Sequence, residues 1–148
     1  MTLVVGDITR PDHPLLPLTT IAANSASLTR SEYPDEDPFE HAMRLHEVSG
    51  GIILTTDGPN PVHVIDRDGR QFWATPPFVQ MVDATGAGDA FKAGVIYGLF
   101  KGWELERAVA WGTAAGGLNT RHLGATSHPP RLEEVQEAAK RVSIRSTH

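Results

Sequence analysis

Short apolar runs and longer periodic ones alternate along this chain, and proline, glycine or acidic residues mark the switches. Residues 3–6 are apolar and β-branched and predict a strand. After Pro11, Pro14 and Pro17 a second apolar run, 19–23, ends at Asn24 and predicts another. Residues 31–37 are polar and acidic and predict a loop. Asp37 can then cap a helix, with Pro38 at its first position and Glu40 where a capping box needs it. That helix runs to about residue 48 and stops at Gly50-Gly51, and 52–55 is a continuous apolar run of the buried-strand kind. Runs 62–65 and 71–74 flank a turn near Asp68-Gly69 and predict a β-hairpin. Another short strand is predicted at 78–82. From Gly88 the pattern lengthens: 90–100 is apolar nearly all round and predicts a buried helix, 105–119 a second, and 132–142 an amphipathic third. Strands alternating with helices, with one hairpin inserted, predict a single α/β domain over residues 1–148 on a mainly parallel sheet flanked by helices.

Composition narrows the function. A formal charge of −5 with scattered basic residues argues against a nucleic-acid partner. The absence of cysteine excludes disulfides and Cys-based zinc sites. No apolar stretch approaches the ~20 residues of a membrane span, and the first residues lack the basic region and apolar length of a signal peptide. A soluble, cytoplasmic chain without a membrane partner is expected.

The stretch with chemistry in it is Asp83-Ala84-Thr85-Gly86-Ala87-Gly88-Asp89-Ala90-Phe91, between a predicted strand and a predicted helix. Gly86 and Gly88 let a ligand approach the backbone. N–H groups that open a helix are unpaired donors for an anion, and the helix dipole favours an ionised Asp89 in the first turn. A phosphate cradle beside a carboxylate suits hydroxyl phosphorylation: the donors stabilise charge on the transferred group and the carboxylate accepts the proton. On spacing alone a plain strand-to-helix turn explains the loop equally well. A dinucleotide fingerprint fits poorly, because Phe91 stands at the third glycine position, and no P-loop sequence occurs.

These nine residues resemble the second signature of the PfkB/ribokinase family of carbohydrate kinases. The resemblance implies a ribokinase-like fold, Asp89 as catalytic base, Gly86, Ala87 and Gly88 as an anion hole, and Asp83 with Thr85 beside a monovalent cation such as K+. The flanks agree in order. The run from Ile52 ending in Thr56-Asp57-Gly58 is similar to the family's nucleotide strand, and Asn24 begins its magnesium motif. The helix through Gly112 is similar to the one bordering adenine, and Thr120-Arg121-His122-Leu123-Gly124-Ala125 to the closing motif, with one residue extra. ATP and Mg2+ are therefore the implied cofactors, and a sugar-like small molecule the implied acceptor.

The pattern also departs from the family's. The magnesium-organising glutamate falls at Ser27, a nucleotide-strand glycine at Pro61, and a polar adenine-side contact at Gly112. A complete member is about twice as long, its other half supplying the acceptor site and lid. The expectation is a truncated, C-terminal half: a fragment of a longer kinase or one part of a split one, inactive alone, joined to a partner chain or to copies of itself. The alternative is a non-catalytic nucleotide-binding or assembly module derived from such a kinase. Elsewhere, Gly116-Gly117 reads equally as room for a base or as close helix packing, and Trp103 and Trp111 as packing residues. His41 and His46, five apart, do not share a helix face for a metal, and the residues from Asp66 to Gly69 read as a turn.

Overall fold

The computed structural model describes residues 2–147. In chain order the elements are β1 (Val5–Gly6), a short 3-10 turn (Leu16–Leu18), β2 (Ile21–Ser25), α1 (Ala26–Glu32), α2 (Pro38–Ser49), β3 (Ile52–Asp57), β4 (Asn60–Ile65), β5 (Gln71–Thr75), α3 (Ala87–Phe100), α4 (Leu105–Asn119), α5 (Leu132–Ala139) and β6 (Ser143–Ser146). The strands form one sheet in the order β1-β2-β3-β4-β5-β6. β1, β2 and β3 pair in parallel. Only Gly58 and Pro59 join β3 to β4, too few residues for a crossover, so these strands run antiparallel and the sheet is mixed. The chain divides into two compact units, one holding the residues up to Asp57, Val62–Trp73 and the chain from Ser146, the other Gly58–Pro61 and Ala74–Arg145.

The first unit is built on the apolar runs of β2 and β3. Ile21 lies beside Ile52, Ala22 beside Ile53 and Ala23 beside Leu54, all buried, as parallel strands covered on both faces require. Ile8, Leu16, Ala42, Leu45 and Ile65 complete this core. α2 starts and stops where its residues dictate. The Asp37 carboxylate accepts from the Phe39 and Glu40 N–H groups at 2.9 and 3.1 Å, and Gly50 ends the helix at φ 63°. The α2 histidines are spent on separate bonds: His41 Nε2 donates to the Thr9 carbonyl and its Nδ1 pairs with Glu36, while His46 Nδ1 bonds the Gly51 carbonyl. The Asp68-Gly69 turn forms as its residues suggest, with Asp66 accepting from the Asp68 and Arg70 N–H groups.

Four elements differ from the hydrophobic reading, β6 among them: the last helix ends at Ala139, short of the expected 142, and an exposed strand, Ser143–Ser146, follows it. α1 was not anticipated because it is only seven residues long and lacks a periodic apolar face; Ser25 starts it by accepting from Leu28 N–H. Residues 78–82 form no strand. Pro76 and Pro77 remove ladder donors, Phe78 is 95% exposed, and Val82 N–H turns instead to the Thr120 carbonyl at 2.7 Å. α3 is apolar all round but buries only Phe91, Gly94, Val95 and Gly98, leaving Phe100 outside.

In the second unit α3 and α4 approach through glycine. A Cβ on Gly94 would lie 2.7 Å from Gly112 Cα, and one on Gly112 would lie 2.5 Å from Val95 Cγ2 and 2.6 Å from the Phe91 carbonyl. Gly112 is thus buried in a helix contact. Gly116 serves the same contact, facing the Ala87 carbonyl and Phe91, which favours the packing reading of that pair. Trp103, Trp111 and Tyr97 pack on one another at centroid distances of 5.0–5.7 Å. α5 covers the other side of α4 through Val135 and Ala138.

Replacing Gly112 by alanine should cost ~1–3 kcal/mol, because the methyl meets backbone that cannot yield. Replacing Gly88, which has open space around it, should leave stability near wild type. Urea unfolding of both variants reads the difference. A second outcome concerns His63 in β4, wedged between Phe39 and Trp73. Its Nε2 donates to Gln71 Oε1, Nδ1 is buried without a partner, and burial pushes its pKa down. The unfolded chain then binds a proton that the folded chain refuses. Stability should fall as the pH drops below the ordinary histidine value of about 6.5. Denaturant midpoints at neutral and mildly acidic pH should show that loss in wild type and less of it in His63→Phe.

Candidate functional site

The loop before α3 is held by one carboxylate. Asp83 Oδ1 accepts from the Thr85 N–H at 2.9 Å and from its hydroxyl at 2.6 Å, and Oδ2 accepts from the Gly124 N–H at 2.8 Å. These donors, the Thr85 hydroxyl first, hold the Asp83 pKa below the usual carboxylate value. The C-terminal end of α4 completes the support. The Thr120 carbonyl takes the Val82 and Asp83 N–H groups, and the Asn119 amide donates to the Thr85 carbonyl.

Gly86 caps α3 from the left-handed region, φ 78°, which a side chain would strain. It also lies flat on the closing segment, where a Cβ would come within 2.7 Å of Ala125 Cβ. Within the turn, Ala87 N–H bonds the Ala84 carbonyl and Ala90 N–H the Gly86 carbonyl. That leaves the N–H groups of Gly86, Gly88 and Asp89 without an acceptor among the described residues. The space above Gly88 is open, and the Asp89 side chain is 84% exposed, paired with Lys92 one turn on at 3.1 Å. Unpaired amides at a helix start beside an accessible carboxylate form an arrangement able to receive a phosphoryl group and a proton.

The remaining expected residues, Asn24, Thr56 and Asp57, sit together in the first unit. Asn24 is buried at the end of β2. Its Nδ2 donates to the Ile8 carbonyl at 2.9 Å, and its Oδ1 is buried with no partner. The Thr56 hydroxyl donates to the Asn24 carbonyl, and Arg30 grips Asp57 with two bonds of 2.9 and 3.3 Å. Ser27, at the position of the missing glutamate, touches only the Ser25 hydroxyl at 3.3 Å. Gly58 makes the turn out of β3 at φ 58°, and Pro61 is the second residue of β4.

Three contributors escaped the sequence reading. Lys92 was legible, being three residues beyond Asp89 on a predicted helix. Asn119 and Arg30 were not, since they reach partners 34 and 27 residues away. Gly124 stood in the closing motif, but its bond to Asp83, 41 residues away, was not legible.

Comparison with known proteins gives the family and the fold. Residues 24–132 match the family described as pfkB family carbohydrate kinase. The chain is 25% identical over 107 residues to 5-dehydro-2-deoxygluconokinase of Clostridium perfringens, covering 72% of this chain and 32% of that protein. The fold is shared with an Arabidopsis thaliana ribokinase complexed with ribose and ATP, at a TM-score of 0.77 and 22% identity, over 93% of this chain and 47% of the other. It is also shared with the Escherichia coli phosphofructokinase-2 in complex with potassium, at a TM-score of 0.73 and 19% identity, over 85% and 42%. The chain spans about a third of the length of the curated relatives it matches. With the family match covering residues 24–132, from the end of β2 to the start of α5, the chain belongs to the pfkB family of carbohydrate kinases.

Proposed function

We propose that this chain is the nucleotide-binding half of an ATP-dependent phosphotransferase that acts on a hydroxyl of a sugar or related small molecule. The observation that supports this most is the set of unpaired N–H groups at Gly86, Gly88 and Asp89 beside the exposed Asp89 carboxylate. ATP supplies the γ-phosphoryl group. In the transfer the acceptor oxygen bonds to that phosphorus, the bond to the bridging oxygen breaks and ADP departs, while the acceptor proton passes to Asp89. The amides stabilise the charge on the phosphoryl oxygens and need no reorganisation, because Asp83 and the end of α4 already fix their direction.

The other assignments follow the resemblance. Asn24, Thr56, Asp57 and Gly58 serve the nucleotide. Mg2+ would be held mostly by the phosphates and water, since Ser27 brings no charge; Asn24 Oδ1, without a partner among the described residues, is an oxygen suited to a metal-bound water. Asp83 already accepts three of the about four bonds a carboxylate can take, so K+ beside Asp83 and Thr85 would find one carboxylate lone pair and neighbouring carbonyls. Gly112 contributes through the α3–α4 contact. No described helix is long and apolar enough to cross a membrane, and a cytoplasmic setting suits a nucleotide-dependent kinase.

Titration calorimetry with ATP and Mg2+ should show binding to this chain, and Asp89→Asn should keep it. Joined to an acceptor-binding half, wild type should turn over, and Asp89→Asn should lose most of that turnover, on the order of a hundredfold or more for removal of a general base. Near-normal turnover in Asp89→Asn, or no ATP binding by the chain, would reject the reading.

The acceptor half must come from more of the same protein or from a partner. Phe78, Phe100, Leu123 and Met81 are all more than half exposed, apolar surface of the kind an interface covers. Light scattering at high concentration should show self-association, and a stable monomer would contradict it.

A further inference from the structure

The geometry points to Asn119 as the positioning residue that aims the Gly86 N–H out of the loop, making it a third donor beside Gly88 and Asp89. Asn119 lies in the last turn of α4 and is 5% exposed. A buried amide must find partners, and its Nδ2 donates to the Thr85 carbonyl, 34 residues back in sequence, at 3.3 Å. The described chain contains no cis peptide. In a planar trans peptide the C=O and the following N–H point in opposite directions. Drawing the Thr85 carbonyl toward Asn119 therefore turns the Gly86 N–H the other way, and that N–H has no acceptor among the described residues.

Two neighbouring contacts leave this peptide in need of such a hold. The Asp83 carboxylate grips Thr85 only by its N–H and hydroxyl, on the near side of the residue. Ala125 stands where a Cβ on Gly86 would go. Neither sets the rotation of the peptide plane between Thr85 and Gly86, and Gly86 is the residue type most able to let that plane turn. The Asn119 bond does set it. Asn119 touches no reacting atom; it acts through the Thr85–Gly86 peptide.

The inference rests on the kinase reading for its consequence but not for its geometry, and the test separates the two. Hydrogen exchange of the Gly86 amide is measured in the 15N-labelled chain without ligand, followed by amide shifts on titration with ATP. The variants are Asn119→Leu, of similar shape without a donor, and Asn119→Ala. In wild type the Gly86 amide should exchange as an unprotected group and shift with ATP together with Gly88 and Asp89. In both variants the Gly86 response should shrink while Gly88 and Asp89 still respond, and ATP affinity should drop by about tenfold or more, the worth of one hydrogen bond to a charged group. α4 amides that stay protected show that the variants remain folded. Two results overturn the inference: a Gly86 amide already protected in wild type, or a response and affinity that both variants leave unchanged. Should no amide of wild type respond to ATP, the kinase reading falls, and ligand-free exchange at Gly86 still decides the orientation.

Discussion

The candidate site depends on the Asp83 carboxylate. A left-handed glycine at a helix start is inexpensive, but a loop of small residues has no side chains with which to hold itself in place. Asp83 supplies the hold by taking donors from two places at once, Thr85 beside it in sequence and Gly124 in the closing segment. The ionised carboxylate can accept all three, and each donor strengthens the case for keeping it ionised. Around that group the Thr120 carbonyl and the Asn119 amide fasten the same loop to the end of α4. The amides left over at Gly86, Gly88 and Asp89 are those that the loop does not need for its own structure.

The support reaches further into the helices. α4 can present its last turn to the loop only if it lies close to α3, and Gly94, Gly98, Gly112 and Gly116 remove the atoms that would hold the two apart. Glycine weakens a helix by roughly 1 kcal/mol relative to alanine, so these four positions exchange local helix stability for proximity. Gly112 therefore belongs first to the architecture of the loop's support. The cost is offset by burial of Val95, Val109, Ala114 and Leu118.

In the first unit the same economy of polar groups holds with a different outcome. Several polar groups there are paired: those of the Asp37 cap, the Asp66 turn and the Arg30–Asp57 ion pair. Asn24 Oδ1 and His63 Nδ1 are exceptions, both buried without partners. The His63 orphan is explained by its aromatic surroundings and shows up as a lowered pKa. The Asn24 orphan stands at the start of the segment that resembles the family's magnesium motif.

Apolar runs, caps and turn residues determined by themselves the class of fold, the limits of α2 and α4, the Asp66 turn and the presence of β2 and β3, since these rest on local preference and side-chain period. The stretch from Asp83 to Phe91 was legible for the same reason: its nine residues are contiguous, and their chemistry is written in one place. Local preference did not decide the fate of residues 78–82, where an apolar run lost its ladder to two prolines, or of α3, whose apolar surface exceeds what its own unit covers. Nor did it decide which amides of the loop would remain unpaired. That depended on Asn119, Thr120 and Gly124, which meet the loop only after α3 and α4 have packed together. Hydrogen bonds across 34 or 41 residues leave no periodic trace in a chain, so only the tertiary structure reveals which donors are spent on the fold and which stay unpaired.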